Sequence, residues 1–149
     1  MNLENLIVRI FVTKRETQFQ YPDKEFSETS STGSGFFIKK DTILTCYHVI
    51  SDHTNIMITH TKLDKVKMKV DVLKVFPDDD MALLKINRED PETSGLLNDI
   101  NDFIDFQVLD KDYSYKVGQE VFVYGYPLNS EDLKISKGTI NGFQDSSIQ

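Results

Sequence analysis

Residues 31–50 read STGSGFFIKKDTILTCYHVI, two apolar runs of strand composition separated by a lysine and an aspartate. Apolar and β-branched runs on either side of so short a polar break are the pattern of a β-hairpin. Residues 35–46 are therefore expected to form a tight hairpin whose second strand delivers His48 to a strand end. A histidine held there, where the chain leaves the interior and turns polar, is well placed for proton transfer. On CYHV alone, a histidine that merely satisfies its own hydrogen bonds at a strand end is the simpler account, and only the surrounding chain can decide between the two.

Outward from this hairpin the pattern stays that of an all-β protein, with short runs of Val, Ile, Phe and Thr broken by Asp, Asn, Gly and Pro. Strands are expected near residues 6–13, 35–39, 42–46, 55–59, 66–76, 82–86, 106–109, 120–125 and 133–140. In VKMKVDV, Val66, Met68, Val70 and Val72 alternate with Lys67, Lys69 and Asp71, which is a half-buried strand. Leu73, Val75 and Phe76 then change the phase, which predicts a bulge or bend. The polar stretch 14–32 reads as an exposed loop. Residues 87–102, with Pro91, Gly95 and no sustained period, read as a linker between two lobes.

Composition narrows the function. With 17 basic against 24 acidic residues the net charge is −7, so the chain lacks the positive footprint of a nucleic-acid binder. Cys46 is the single cysteine, which excludes an internal disulfide and a CxxC metal site and suits a reducing compartment. The N-terminus has neither a basic n-region nor a small-residue cleavage site, and no segment approaches the roughly 18 apolar residues of a membrane span. A cytoplasmic location without membrane contact is expected. The three histidines show no HxxxH or HExxH spacing, so neither metal nor cofactor is expected. Gly33 and Gly35 suit close backbone packing or a bulge better than phosphate binding, because no helix signal follows them.

Five segments now matter together: TGSGFFI at 32–38, ILTCYHVI at 43–50, DDDMALLKI at 78–86, VGQEVFVYGYPL at 117–128 and ISKGTINGF at 135–143. In this order they resemble the conserved segments of trypsin-like serine peptidases, most closely the HtrA-like branch. The resemblance implies that His48 is the general base and that Asp80 orients it, because Asp80 directly precedes MALLK. In such a triad the aspartate fixes the imidazole tautomer and stabilises the imidazolium. Asp78 and Asp79 compete for that role, and periodicity alone does not choose among three adjacent carboxylates. Cys46 lies two residues before His48, on the same side of an extended chain, and reads as a small buried hydrophobe. His53 and His60 read as surface histidines.

The resemblance implies a trypsin-like double β-barrel: a complete first lobe at 1–88, a linker at 89–103 and a partial second lobe at 104–149. It also implies a serine in a GNSGGP-type turn, downstream of the strand that ISKGTINGF resembles. No such turn occurs before Gln149, and Ser146 and Ser147 lack flanking glycines. A chain ending before its nucleophile and oxyanion hole is the expectation. Without an IVGG-like junction it fits the branch that needs no activating cut. The expected function is a serine endopeptidase acting on protein or peptide substrates, or alternatively an inactive trypsin-like fold serving as a binding module. An incomplete second barrel also leaves strand edges through which copies can associate.

Overall fold

The computed structural model describes residues 3–16, 27–60, 66–87, 116–127 and 132–142. The linker expected at 89–103, the strand expected at 106–109 and Ser146 and Ser147 lie outside them. Among these described residues, eight strands and one short α-helix follow in order: β1 (Ile7–Glu16), β2 (Ser27–Lys39), β3 (Thr42–Thr45), α1 (Tyr47–Ile50), β4 (His53–His60), β5 (Met68–Phe76), β6 (Met81–Ile86), β7 (Glu120–Gly125) and β8 (Lys134–Thr139). Among the described residues no helix is long and apolar enough to cross a membrane.

Strands β1 to β6 close into an antiparallel barrel with the order β1-β2-β3-β6-β5-β4. Period-two alternation decides which side chains point inward. Val8, Ile10 and Val12 of β1, Ile56 and Ile58 of β4, Met68 and Val70 of β5, and Ala82, Leu84 and Ile86 of β6 are all buried, around Phe37 and Ile43. Each Val, Ile or Leu so buried contributes about 1.5–3 kcal/mol relative to exposure. Closure leaves no strand of the barrel with an unpaired edge along its full length, because β1 pairs with both β2 and β4.

The change of phase after Val72 is a register shift between Val72 and Lys74 in the β5–β6 ladder, as expected for a bulge. Gly35 faces Val8 across β1, and a Cβ there would stand 2.8 Å from Ile43 Cγ2 and 2.9 Å from Ile10 Cδ1. No larger side chain fits without moving the core.

Two expectations need correction. The stretch 14–32 is not all loop: β1 runs on to Glu16 and β2 begins at Ser27, with Thr13 opposite Ser30 and Glu16 opposite Ser27. Backbone pairing and the β-branched threonines extend the hairpin where no apolar face announces it. His60 is not a surface residue but only 2% exposed. It shares the inward face of β4 with Ile56 and Ile58, its Nε2 lies 2.6 Å from the Asn5 carbonyl oxygen, and its ring is 6.1 Å from that of Phe37. His53 is exposed, as expected.

Among the described residues, strands β7 and β8 form a separate two-stranded sheet in which Glu120 pairs with Thr139 and Gly125 with Lys134. It meets the barrel where the Tyr126 N–H donates to Ser34 Oγ at 2.7 Å, and Tyr126 itself is buried. That burial pushes the Tyr126 phenol up, against the opposing charge of Arg9.

Candidate active site

The β3–β6 pairing sets Thr45 opposite Ala82, so the end of one strand and the start of the other share one rim of the barrel. Past Thr45 the chain remains extended at Cys46 (φ −83°, ψ 141°) and then turns through the single turn of α1. Ile50 anchors this turn in the core at 1% exposure, and Val49 lies over Gly33, where a Cβ would approach Val49 Cγ1 to 2.7 Å. Both contacts hold His48 on the rim facing outward. The Lys14 ammonium donates to the His48 carbonyl at 3.3 Å and further ties the turn to β1.

Asp80 arrives from the other strand. A 3-10 turn over Pro77–Asp79 precedes it, and Asp80 itself adopts a left-handed conformation (φ 52°, ψ 46°) before β6 begins at Met81. Aspartate tolerates this region better than most residues, and held strain of this kind is common at functional sites. The Asp80 carbonyl accepts the Tyr47 N–H at 3.1 Å, which ties the two turns together.

The Asp80 carboxylate meets His48 twice: Oδ1 accepts the His48 backbone N–H at 2.8 Å, and Oδ2 lies 2.6 Å from His48 Nδ1. An ionised carboxylate can only accept, so Nδ1 carries a proton, and in the neutral ring this leaves Nε2 as the acceptor. The His48 ring bond, reinforced by the His48 backbone N–H, holds the Asp80 carboxyl below its ordinary 3.8, against a smaller opposing effect of desolvation. Water reaches both partners, whose side chains are 71% and 50% exposed. Chemically, this is an oriented imidazole whose Nε2 can accept a proton when the ring is neutral.

Of the three adjacent carboxylates, the structure brings Asp80 to His48, while Asp78 and Asp79 occupy the exposed turn before it. The backbone N–H of His48 as a second donor, and Lys14 as a support, carried no signal in the sequence. Cys46 departs from its expected burial and is exposed. Thr45 takes the inward place at the end of β3, so the next residue points out over the rim. Cys46 Sγ, a ring nitrogen of His48 and a carboxylate oxygen of Asp80 lie within 4.8 Å of one another, as a set of donors that could hold a metal ion. Beside them a cavity of about 250 Å³, lined by Gly35, Phe36, Leu44, Met81 and Tyr124, opens between the barrel and β7.

A closed antiparallel barrel that brings a histidine after one strand to an aspartate before its neighbour has the architecture of the trypsin-like peptidases. The family model for a trypsin-like peptidase domain matches residues 33–149, and the chain belongs to that family. Its similarity runs to the HtrA-type, Do-like proteases. It is 26% identical to Protease Do-like 4, mitochondrial, of Arabidopsis thaliana over 92% of this chain and 24% of that protein. To Protease Do-like 2, chloroplastic, of the same plant it is 26% identical over 96% of this chain and 22% of that protein. The chain thus spans about a quarter of the length of these relatives. The crystal structure of the active form of the Rv3671c protease from M. tuberculosis shares the fold with a TM-score of 0.63 at 18% identity, over 91% of this chain and 48% of that one.

Proposed function

We propose that this chain carries the general base and the orienting carboxylate of a serine endopeptidase, His48 and Asp80, acting on protein substrates. The observation that carries the reading is the double contact at 2.6 and 2.8 Å between Asp80 and the ring and backbone of His48. His48 Nε2 would take the proton of a serine hydroxyl as its oxygen attacks the peptide carbonyl. The imidazolium, stabilised by Asp80, would then return the proton to the leaving amine, leaving an acyl-enzyme for water to hydrolyse. The lobes at 1–88 and 104–149, with a linker at 89–103, belong to this reading, the substrate lying between them.

The 149 residues contain no Gly-x-Ser-Gly-Gly run, so the proposed reaction takes its nucleophile and oxyanion hole from outside them. The chain alone is expected to stay unlabelled by a fluorophosphonate probe, and stoichiometric labelling of Ser146 or Ser147 would contradict this. The decisive test uses the longest product of the reading frame and an unfolded substrate such as casein. H48A and D80N should each lower kcat/KM by about 10⁴-fold or more. Undiminished hydrolysis in H48A sinks the reading. Binding of casein without cleavage by the unmutated product would instead support a module that keeps the fold without the chemistry.

A further inference from the structure

We infer that Cys46, His48 and Asp80 form a site for a single thiophilic divalent cation, Zn²⁺ being the ion whose chemistry fits the donors best. One sulfur, one imidazole nitrogen and one carboxylate oxygen are the ligand types zinc takes in tetrahedral sites, and three protein ligands leave its fourth position open. Their donor atoms already lie within 4.8 Å of one another. Zinc bonds of about 2.3 Å to sulfur and about 2.0–2.1 Å to nitrogen or oxygen, at tetrahedral angles, set the sulfur roughly 3.5 Å from nitrogen and the nitrogen roughly 3.3 Å from oxygen. Closing the set therefore asks for side-chain shifts of about an ångström, at three exposed residues.

The backbone that presents these donors is fixed by the barrel. Cys46 is the last extended residue before α1 and makes no capping bond through its side chain, so the thiol is not engaged in holding the helix. Asp80 is held in its left-handed conformation by its own N–H to the Pro77 carbonyl at 3.2 Å. Binding would break the hydrogen bond between His48 Nδ1 and Asp80 Oδ2: the metal takes the place of the Nδ1 proton, which passes by way of water to Nε2, while the thiol proton is released to solvent. Local spacing gave no hint of such a site, because Asp80 lies 32 residues from His48 in sequence. The consequence for catalysis, that an occupied site withholds the base, rests on the reading of His48 as that base. The binding itself does not, and it can be measured without turnover.

The test is a titration of the purified 149-residue chain, reduced with a non-coordinating phosphine, with Co²⁺ alone and then with Zn²⁺ in competition. Cys46 is the only cysteine, so any sulfur-to-cobalt charge-transfer absorption reports on it directly. The expected result is such absorption at one Co²⁺ per chain, bleached by one Zn²⁺, together with visible bands of four-coordinate geometry. C46S should abolish the charge-transfer band. H48A and D80N should each weaken binding by at least roughly tenfold, since even groups behind the ligands cost 10- to 100-fold. H53A, whose imidazole bonds the Ile50 carbonyl instead, should bind as the unmutated chain does. Circular dichroism of each variant checks that the barrel is intact. A band absent at saturating Co²⁺, or one of unchanged affinity in folded H48A and D80N, would overturn the inference, the second outcome meaning that the thiol binds metal by itself.

Discussion

The barrel and the β7–β8 sheet are built from the same kinds of residue, yet they solve the burial problem differently. In the barrel the apolar inward residues of β1, β4 and β6 join one buried cluster, in which Phe37, Ile43, Ile58 and Leu84 are fully excluded from water. In the two-stranded sheet Phe122, Val123 and Ile135 stay 53%, 63% and 49% exposed. The His48–Asp80 pair is assembled entirely from barrel elements, the turns after β3 and before β6. Orientation of the His48 ring therefore depends on the barrel. Among the described residues, the cavity beside it, which Tyr124 helps to line, depends on the β7–β8 sheet as well.

Hydrogen exchange should expose this contrast most sharply. An isolated two-stranded sheet is marginal in water, whereas amides in the core strands of a closed barrel exchange through openings whose free energy rises toward the global one. With domain stabilities of about 5–15 kcal/mol, amides within Met68–Phe76 and Met81–Ile86 should be protected roughly a thousandfold or more beyond those of Glu120–Gly125 and Lys134–Thr139. Protection of both regions in a dimer would mean that a second copy covers Phe122, Val123 and Ile135. Equal protection in a chain that sedimentation shows to be monomeric would mean that the second sheet closes a core of its own, and the comparison would fail.

Glycine substitutions sharpen the same contrast at single-residue scale. A methyl group at Gly35 would stand 3.0 Å from the Leu44 carbonyl oxygen as well as against Ile43 and Ile10, whereas nothing lies within 4 Å of a Cβ at Gly138. Gly35→Ala should therefore cost about 1–3 kcal/mol by overpacking. Gly138→Ala should be neutral or slightly stabilising, within about 0.5–1 kcal/mol, because alanine restricts the unfolded chain more than glycine does. Urea midpoints at constant m-value measure both. A neutral Gly35→Ala would show that β2 can move away from the core at no cost, contrary to the close fit described.

What the sequence disclosed follows the range over which each force acts. Alternation is local, so the strand in VKMKVDV and the bulge after Val72 could be read directly. The same rule would have placed His60 inside, since it continues the parity of Ile56 and Ile58, but the habit of histidine at surfaces concealed it. The extension of β2 back to Ser27 was illegible because SETSST has no apolar face and is held by backbone pairing with β1. The His48–Asp80 contact joins residues 32 apart. Only the order of segments shared with a known family suggested it, and the left-handed turn that selects Asp80 over Asp78 and Asp79 left no mark in composition.

The smallest effect concerns acid. In the folded chain the Asp80 carboxyl is held below its ordinary 3.8, chiefly by the His48 ring and then by the His48 backbone N–H. A group with a depressed folded pKa binds fewer protons folded than unfolded. Its stabilising contribution is complete above the unfolded value and is lost as pH falls through the folded one. The loss due to Asp80 should thus begin as pH drops toward 3.8 and continue below it, with no contribution to pH dependence near neutrality. Because the pair is exposed, with 71% and 50% of the two side chains open to water, solvent screens the interaction and the effect stays modest. Salt should reduce it further. Thermal midpoints of the unmutated chain and D80N, compared from pH 7 to pH 3, should therefore converge as the acid limit is approached. A constant offset across that range would show that Asp80 stabilises the rim by its shape and left-handed turn rather than by its charge. A gap that widens toward low pH would contradict the direction of the shift itself, and with it the hydrogen bond that fixes the tautomer of His48.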